Sequence, residues 1–374
     1  MRTQVVKIQE DAGSGEAIRV AAKALVSGGL VAFPTETVYG LGANVADRQA
    51  MTRLRQVKGR TKKKPFTVHI GRRDDVSCFV PDMPRLGRRL VAKGWPGPLM
   101  LVFHVESPES APVMKDLETH RLADIYYEGT VGIRCPSDPT ALAFLSEASV
   151  PVVAASANLA GNPPPVTGDE VLDDLDGKID LLLDAGRVRY AQPSTIVRLN
   201  GNGYEILRKG VFDARMIRRL STTHILFVCT GNTCRSPMAA ALCRQRLADR
   251  HGCRTDELDE FGYEIHSAGV FAMSGGQASV GAIHALEERG IDLSNHVSQP
   301  LTVELIHQAD YIYTMTSSHL DTVVSMVPNS ADRAATIKTD GDVADPVGSG
   351  DEVYRQCART IDEAIQHRLA EIAL

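Results

Sequence analysis

Long apolar runs are missing from this chain. No stretch approaches the roughly 20 apolar residues that a bilayer-spanning helix requires, so no membrane partner is expected. Behind Met1-Arg2-Thr3-Gln4 there is no apolar core of a secretion signal, and export is not expected either. Cysteine is sparse: seven residues, at 78, 135, 229, 234, 243, 253 and 357, an odd and scattered set that makes no disulfide framework. Internal repeats, low-complexity tracts and Gly/Ser-rich tethers are absent, although Asn162-Pro163-Pro164-Pro165 reads as an extended elbow. No Gly-x4-Gly-Lys-Ser/Thr loop occurs, so any bound nucleotide is held by another design. No residue stands out as a metal ligand. These absences predict a cytoplasmic protein, the compartment that keeps thiols reduced.

What is present points to two domains. The 374 residues exceed one ordinary core, and 43% hydrophobic with 23% charged residues is a globular composition. The net charge of −5 conceals an asymmetry. Residues 1–220 carry 30 Lys+Arg against 25 Asp+Glu, and residues 221–374 carry 11 against 21. The first half is therefore the better partner for a polyanion. We expect an α/β chain divided into 1–212, a linker at 213–223 that includes a short helix over 213–220, and 224–374.

The most telling stretch is Val228-Cys229-Thr230-Gly231-Asn232-Thr233-Cys234-Arg235-Ser236-Pro237. An apolar run, Ile225-Leu226-Phe227-Val228, precedes it, and an Ala/Leu-rich helical pattern follows over 238–251. Strand, loop and helix in that order aim backbone N–H groups and a helix N-terminus at one anion. Donors of that kind also stabilise a cysteine thiolate, and Arg235 adds a planar two-pronged clamp suited to a phosphoryl group. Cys229 then reads as the nucleophile of a phosphocysteine mechanism and Arg235 as its clamp. The leaving group needs an acid, and Asp345-Pro346, in a Gly-rich loop before the last helix, is preferred over Asp340 and Asp342. Ser236 is placed to hydrogen-bond the thiolate, and Asn232 to brace the loop. Cys234 could trap an oxidised Cys229 or simply fill space. Strands at 225–228, 263–267 and 310–314 alternate with helices at 238–251, 277–289 and 351–369, which predicts a doubly wound parallel sheet with Cys229 at its ligand-binding edge.

These residues, together with Ser267-Ala268-Gly269, Thr314-Met315-Thr316 and His319, closely resemble the low-molecular-weight protein-tyrosine-phosphatase family over residues 224–369. Within it, Cys-Thr-Gly-Asn-Thr-Cys-Arg resembles the protein-arginine-phosphatase branch. Thr233 stands where tyrosine-directed members usually carry isoleucine, and a hydroxyl there can bond a guanidinium leaving group. Val347 replaces a common aromatic after Asp-Pro, which removes a stacking wall for a phenol ring. The resemblance implies phosphorylated proteins as substrates, phosphoarginine ahead of phosphotyrosine, and no cofactor.

In the first half a helix over 18–27 and strands at 30–34, 99–105, 131–134, 152–155 and 203–208 give a mixed α/β pattern. Four clusters recur: Pro34-Thr35-Glu36-Thr37-Val38-Tyr39-Gly40-Leu41-Gly42, Lys58-Gly59-Arg60 with Lys62-Lys63-Lys64-Pro65, Ser156-Ala157-Asn158, and Pro193-Ser194-Thr195 followed by Arg208-Lys209-Gly210. By themselves they indicate a polyanion and a small polar ligand. In this order they resemble the YrdC-like threonylcarbamoyl-AMP synthase family over about residues 5–212. That resemblance implies a twisted mixed α/β fold with a positively lined cavity. It also implies a reaction in which L-threonine, bicarbonate (or CO2) and ATP give threonylcarbamoyl-adenylate and pyrophosphate, with Mg²⁺ beside the phosphates. The link to tRNA is indirect, through the machinery that installs threonylcarbamoyladenosine. Carried over, Thr37 and His69 would contact threonine, with Thr35 an alternative. Lys58, Arg60 and Lys64 would hold phosphates, and Thr130, Arg134, Ser156 and Asn158 would line the site. Ser194 would meet the threonine end and Arg208 the nucleotide. Thr61, Met100, Val166 and Lys209 depart from the usual pattern without removing a phosphate clamp.

The leading expectation is a bifunctional enzyme. The alternatives are a tyrosine phosphatase in the second half, a catalytically silent nucleotide- or RNA-binding module in the first, or a phosphatase domain serving as a scaffold.

Overall fold

The computed structural model describes residues 2–8, 14–59, 65–117, 122–201 and 203–372. The chain divides into two compact units, Met1–Leu220 and Ser221–Leu374. The stretch read as a linker carries a helix, Ala214–Ser221, begun by Asp213, whose Oδ1 accepts from the Met216 N–H at 2.7 Å. Ile217 of that helix is fully buried in the core of the first unit.

Among its described residues the first unit is built on ten strands: β1 (Gln4–Lys7), β2 (Val31–Phe33), β3 (Gly40–Asn44), β4 (Thr67–His69), β5 (Leu99–His104), β6 (Thr130–Arg134), β7 (Val152–Ser156), β8 (Leu181–Asp184), β9 (Thr195–Asn200) and β10 (Gly203–Arg208). They form one mixed sheet in the order β1-β8-β2-β3-β7-β4-β6-β5-β9-β10. Successive side chains of a strand point to opposite faces, and the burial follows that rule. Val31, Phe33, Leu181, Leu183, Val152 and Ala154 face the helices Ser14–Val26 and Pro139–Ala148. Their neighbours Ala32, Leu182 and Val153 enter the larger core on the other side. Toward β4, β6 and β5 that larger core continues through Val68, Val131, Ile133, Leu99, Leu101 and Phe103. The opposite face here carries Thr67, His69, Met100, Thr130 and Arg134, of which only Arg134 is fully buried. The sheet thus keeps one polar, partly open face where the sequence places several ligand contacts.

Among its described residues the second unit has four parallel strands, β11 (Thr223–Cys229), β12 (Tyr263–Gly269), β13 (Tyr311–Thr314) and β14 (Ala334–Thr336), in the order β12-β11-β13-β14. Ile225, Phe227 and Cys229 face the core shared with helices Arg235–His251, Val280–Glu287 and Asp351–Glu371. Leu226 and Val228 face helices Val303–Gln308 and Ser317–Met326 through Ile306 and Val323. The chain passes to one side of β11 for β12 and to the other for β13, so the carboxyl end of β11 is the switch point where such sheets open a ligand crevice. The helix expected from 277 begins at Val280, because Ser279 takes the extended cap conformation.

Candidate active sites

Cys229 ends β11 at this switch point, and residues 230–234 lead straight into the helix Arg235–His251. Asn232 holds the loop in shape. Its φ of 53° lies in the left-handed region, which asparagine tolerates better than most side chains. Its Nδ2 donates to Ser236 Oγ and to Ser267 Oγ, both at 2.9 Å, and its Oδ1 accepts from the Gln299 N–H at 2.9 Å. Gly269 closes β12 directly beneath, where a Cβ would come within 2.5 Å of the Thr230 carbonyl oxygen. Only glycine lets the loop lie that close.

The thiol of Cys229 accepts from the Asn232 N–H at 3.3 Å and stands 2.9 Å from Ser236 Oγ. Ser236 already accepts from Asn232, which frees its own hydrogen for the sulfur; the Ala268 carbonyl at 3.3 Å is the longer alternative. Arg235 is 4% exposed. Its guanidinium donates to the Val343 carbonyl at 3.1 Å and to Thr230 Oγ1 at 3.2 Å, and pairs with Asp345. Of the three loop carboxylates, Asp345 is the one on this clamp. Asp342 accepts from the Ser317 N–H at 2.8 Å and Asp340 pairs with Lys338. Asp345 remains 45% exposed, so it can move onto a leaving group once phosphate takes the arginine. Asp345→Asn is expected to slow turnover about 10²–10⁴-fold on substrates with poor leaving groups and much less on p-nitrophenyl phosphate. Equal losses on both substrates, read in steady-state assays, would remove Asp345 from the acid role.

Three further residues hold this loop: His319 and Ser267, which the resemblance included without a role, and Gln299, which the sequence did not mark. His319 places Nε2 2.9 Å from Thr230 Oγ1 and Nδ1 2.8 Å from Thr316 Oγ1, and so anchors the loop to the start of the helix Ser317–Met326. Burial, reinforced by Arg235, holds its imidazole below the ordinary value and keeps it neutral. Ser267 and Gln299 are the other anchors, and nothing in their spacing announced them. Cys234 Sγ bonds Ser279 Oγ at 3.1 Å and lies 3.6 Å from the Tyr354 hydroxyl. The Thr233 carbonyl accepts from the Ser279 N–H at 2.8 Å, while Val347 is 64% exposed.

In the first unit Arg134 is the centre. Its Nη2 pairs with Glu36 Oε1 at 2.9 Å and donates to Thr37 Oγ1 at 2.8 Å, with Thr35 Oγ1 at 3.5 Å. Arg134 and Glu36 side chains are 6% and 4% exposed. Glu36, given no role by the sequence, also accepts from the Ser137 N–H at 3.0 Å and so fixes the arginine's position. The Arg134 Nε–H is buried without a partner, an orphaned donor that a ligand would satisfy. His69 lies opposite Arg134 in the β4–β6 register. Its Nδ1 stands 3.1 Å from the Thr67 carbonyl, which fixes the N–H there and leaves Nε2 as an acceptor. Its immediate surroundings are closed although the residue as a whole is half-buried, and desolvation, followed by the Arg134 charge, pushes it down to about 3. Arg208 donates to the Ser194 carbonyl at 2.8 Å and to Ser194 Oγ at 3.0 Å, and burial and then Arg134 lower its affinity for its proton.

A neighbouring cluster sits where β3 and β7 pair, Gly40 opposite Ser156. The buried Lys58 ammonium donates to the Ser156 carbonyl at 2.7 Å, to Asn158 Oδ1 at 2.8 Å and to the Asn158 carbonyl. Ser156 Oγ donates to Asn158 Oδ1 at 2.6 Å. Lys58 therefore braces the Ser156–Asn158 turn here. Thr130 shares the Arg134 face but begins β6, about 13 Å away by strand rise, and its hydroxyl donates to the Tyr127 carbonyl at 2.7 Å. Met100 stands opposite Arg134 in the β5–β6 register. Arg60 and Lys64 lie outside the described residues.

Comparison with known proteins agrees with this division. A family model described as Telomere recombination (Sua5_yciO_yrdC) matches residues 23–210. One described as Low molecular weight phosphotyrosine protein phosphatase matches residues 224–373. A threonylcarbamoyl-AMP synthase of Pyrococcus abyssi is 37% identical over 193 residues, 52% of this chain and 54% of the relative. A protein-arginine-phosphatase of Geobacillus stearothermophilus is 46% identical over 152 residues, 39% of this chain and 93% of the relative. The crystal structure of P. abyssi Sua5 complexed with L-threonine shares the fold at 22% identity and a TM-score of 0.51, covering 72% of this chain and 92% of that one. The chain spans about half the length of the first synthases it matches, 54% and 53%. By these matches the chain belongs to two families at once, the Sua5/YciO/YrdC family through its first unit and the low-molecular-weight phosphatase family through its second.

Proposed function

We propose that the chain is a bifunctional enzyme, with threonylcarbamoyl-AMP synthesis in residues 1–212 and dephosphorylation of phosphoarginine in proteins in residues 224–374. The observation that carries the second activity is the Cys229 sulfur held between the Asn232 N–H and Ser236 Oγ, with Arg235 and Asp345 at the same loop. Cys229 attacks phosphorus and the guanidinium of Arg235 neutralises the equatorial oxygens. Asp345 protonates the departing nitrogen, and water then cleaves the phosphocysteine. The resemblance to a protein-arginine-phosphatase and the exposed Val347, which offers no stacking ring, support phosphoarginine over phosphotyrosine. Thr233→Ile is expected to move the ratio of phosphoarginine to phosphotyrosine turnover toward tyrosine by about tenfold or more, the scale of one polar contact exchanged for an apolar one. Peptide pairs differing only in the phosphorylated residue measure it, and an unchanged ratio would leave Thr233 without a selecting role.

For the first activity, the neutral His69 acceptor, the Thr37 hydroxyl and the unpartnered Arg134 Nε–H offer the polar groups an amino acid and a carbamate need. Arg208 and Arg134, with Arg60 and Lys64 added by sequence, supply positive charge against departing pyrophosphate. Both oxygens of Glu36 are engaged, so Mg²⁺ would arrive on the triphosphate and offset its charge there. The product would feed threonylcarbamoyl transfer to tRNA by other proteins. Pyrophosphate release that requires both threonine and bicarbonate tests this assignment; RNA or nucleotide binding without it would make the unit a silent binding module. Among the described residues no helix is long and apolar enough to cross a membrane. All seven cysteines are free, which suits the proposed reducing cytoplasm.

A further inference from the structure

The amino ends of β11 and β12 hold a side-chain cluster that neither reaction uses. The two strands are parallel, with His224 opposite Glu264 and Leu226 opposite His266. Alternation puts His224, Glu264 and His266 on one face, the face whose continuation through Leu226, Val228 and Ala268 is apolar core. One carboxylate oxygen, Glu264 Oε2, lies 3.4 Å from His224 Nδ1 and 3.7 Å from His266 Nε2. All three potential ligand atoms fall within 4.8 Å of one another, and among the described residues no other His/Cys/Asp/Glu group does so.

That spacing has a specific meaning. A zinc ion bound tetrahedrally at 2.0–2.1 Å separates neighbouring ligand atoms by about 3.4 Å. His224 and the strand register fix one corner, while Glu264 and His266, 36% and 40% exposed, can close the rest by side-chain rotation alone. His224 and His266 also line a cleft of about 10 Å³ bounded by Leu305, Gln308 and Ala309, room for about one water-sized sphere. Sequence spacing hid the group, since His224 and Glu264 are 40 residues apart.

We propose that His224, Glu264 and His266 bind a zinc-class divalent ion, with three protein ligands and a fourth position left to water. Two imidazoles and one carboxylate suit zinc and its first-row neighbours, whereas magnesium and calcium prefer all-oxygen shells. The ion would pin the edge strand β12 to β11. The cluster starts the strand that Cys229 ends, five residues and about 17 Å away, so the ion would not occupy the phosphate loop.

The test titrates the metal-free full-length chain with Co²⁺ and then Zn²⁺, in a Cys229→Ser background so that the nucleophile does not compete. One equivalent of Co²⁺ should give tetrahedral ligand-field bands without thiolate charge transfer. Zn²⁺ should displace it and raise the melting temperature of the second unit as its concentration rises. Glu264→Gln and, separately, His266→Gln should each weaken binding at least tenfold while the far-ultraviolet circular dichroism stays unchanged. Thiolate charge transfer, undiminished binding in both variants, or no binding at millimolar metal would each overturn the proposal.

Discussion

Cys229→Ser should lower phosphate release from phosphorylated protein by at least about three orders of magnitude, because a serine hydroxyl stays protonated, attacks phosphorus far more weakly than a thiolate and releases phosphate from its ester slowly. The hydroxyl would take the place of the sulfur between the Asn232 N–H and Ser236 Oγ, so the loop should keep its shape and still bind phosphate. Pyrophosphate formation by the first unit should be unchanged in the same preparation. The Arg134–Glu36 site belongs to the unit Met1–Leu220, and the thiol to Ser221–Leu374. A parallel fall of both activities would contradict the assignment of one site to each unit. Persisting phosphate release would remove the thiol from the chemistry.

Glu36→Ala should produce the largest stability loss. Arg134 and Glu36 are almost fully buried, and deleting one partner leaves the other charge uncompensated. The cost is about 3–5 kcal/mol, which for a unit of roughly 200 residues lowers the melting temperature by about 6–20 °C. Threonylcarbamoyl-AMP synthesis should fall with it, since Arg134 loses the anchor that aligns it with Thr37. Phosphatase activity at moderate temperature serves as the internal control. Glu36→Gln keeps one acceptor oxygen, enough for Arg134 or the Ser137 N–H but not both, and should lose less than the alanine variant. A melting shift below about 2 °C for Glu36→Ala, read by calorimetry, would mean that the pair does not hold the site together.

The phosphatase loop was legible because its function is local in sequence. Cys229 and Arg235 lie on one continuous strand-loop-helix, and periodicity identified both flanks. The pairing of Asp345 with Arg235 needed the fold, although its Asp-Pro loop marked the segment. Asn232 was recognisable as a loop brace, but its partners Ser267 and Gln299 come from separate elements with no shared spacing. In the first unit β2, β5, β6, β7 and β10 were read from the sequence, whereas the apolar β8 (Leu181–Asp184) and the alternating β9 (Thr195–Asn200) were passed over. β3 (Gly40–Asn44) has two glycines and an asparagine, which disfavour a strand, and β4, although β-branched, is only three residues long. Those weak strands matter because they set Ser156 opposite Gly40, which follows the Thr35–Thr37 turn, and His69 beside Arg134. Glu36 escaped notice because a glutamate between two threonines looks solvated until the sheet buries it. Lys58, expected from the sequence to hold phosphate, here donates to the Ser156–Asn158 turn, a contact that no spacing of the sequence foretold.

One experiment addresses the central claim, that a single chain carries two working enzymes. Full-length protein would be given ATP, threonine and bicarbonate, and in parallel a phosphoarginine-bearing protein, with pyrophosphate and phosphate release followed in each reaction. Pyrophosphate is expected only when threonine and bicarbonate are both present, with phosphate released from the second substrate by the same sample. Nucleotide or RNA binding without threonine-dependent pyrophosphate, or an inert phosphatase loop in a folded chain, would contradict it.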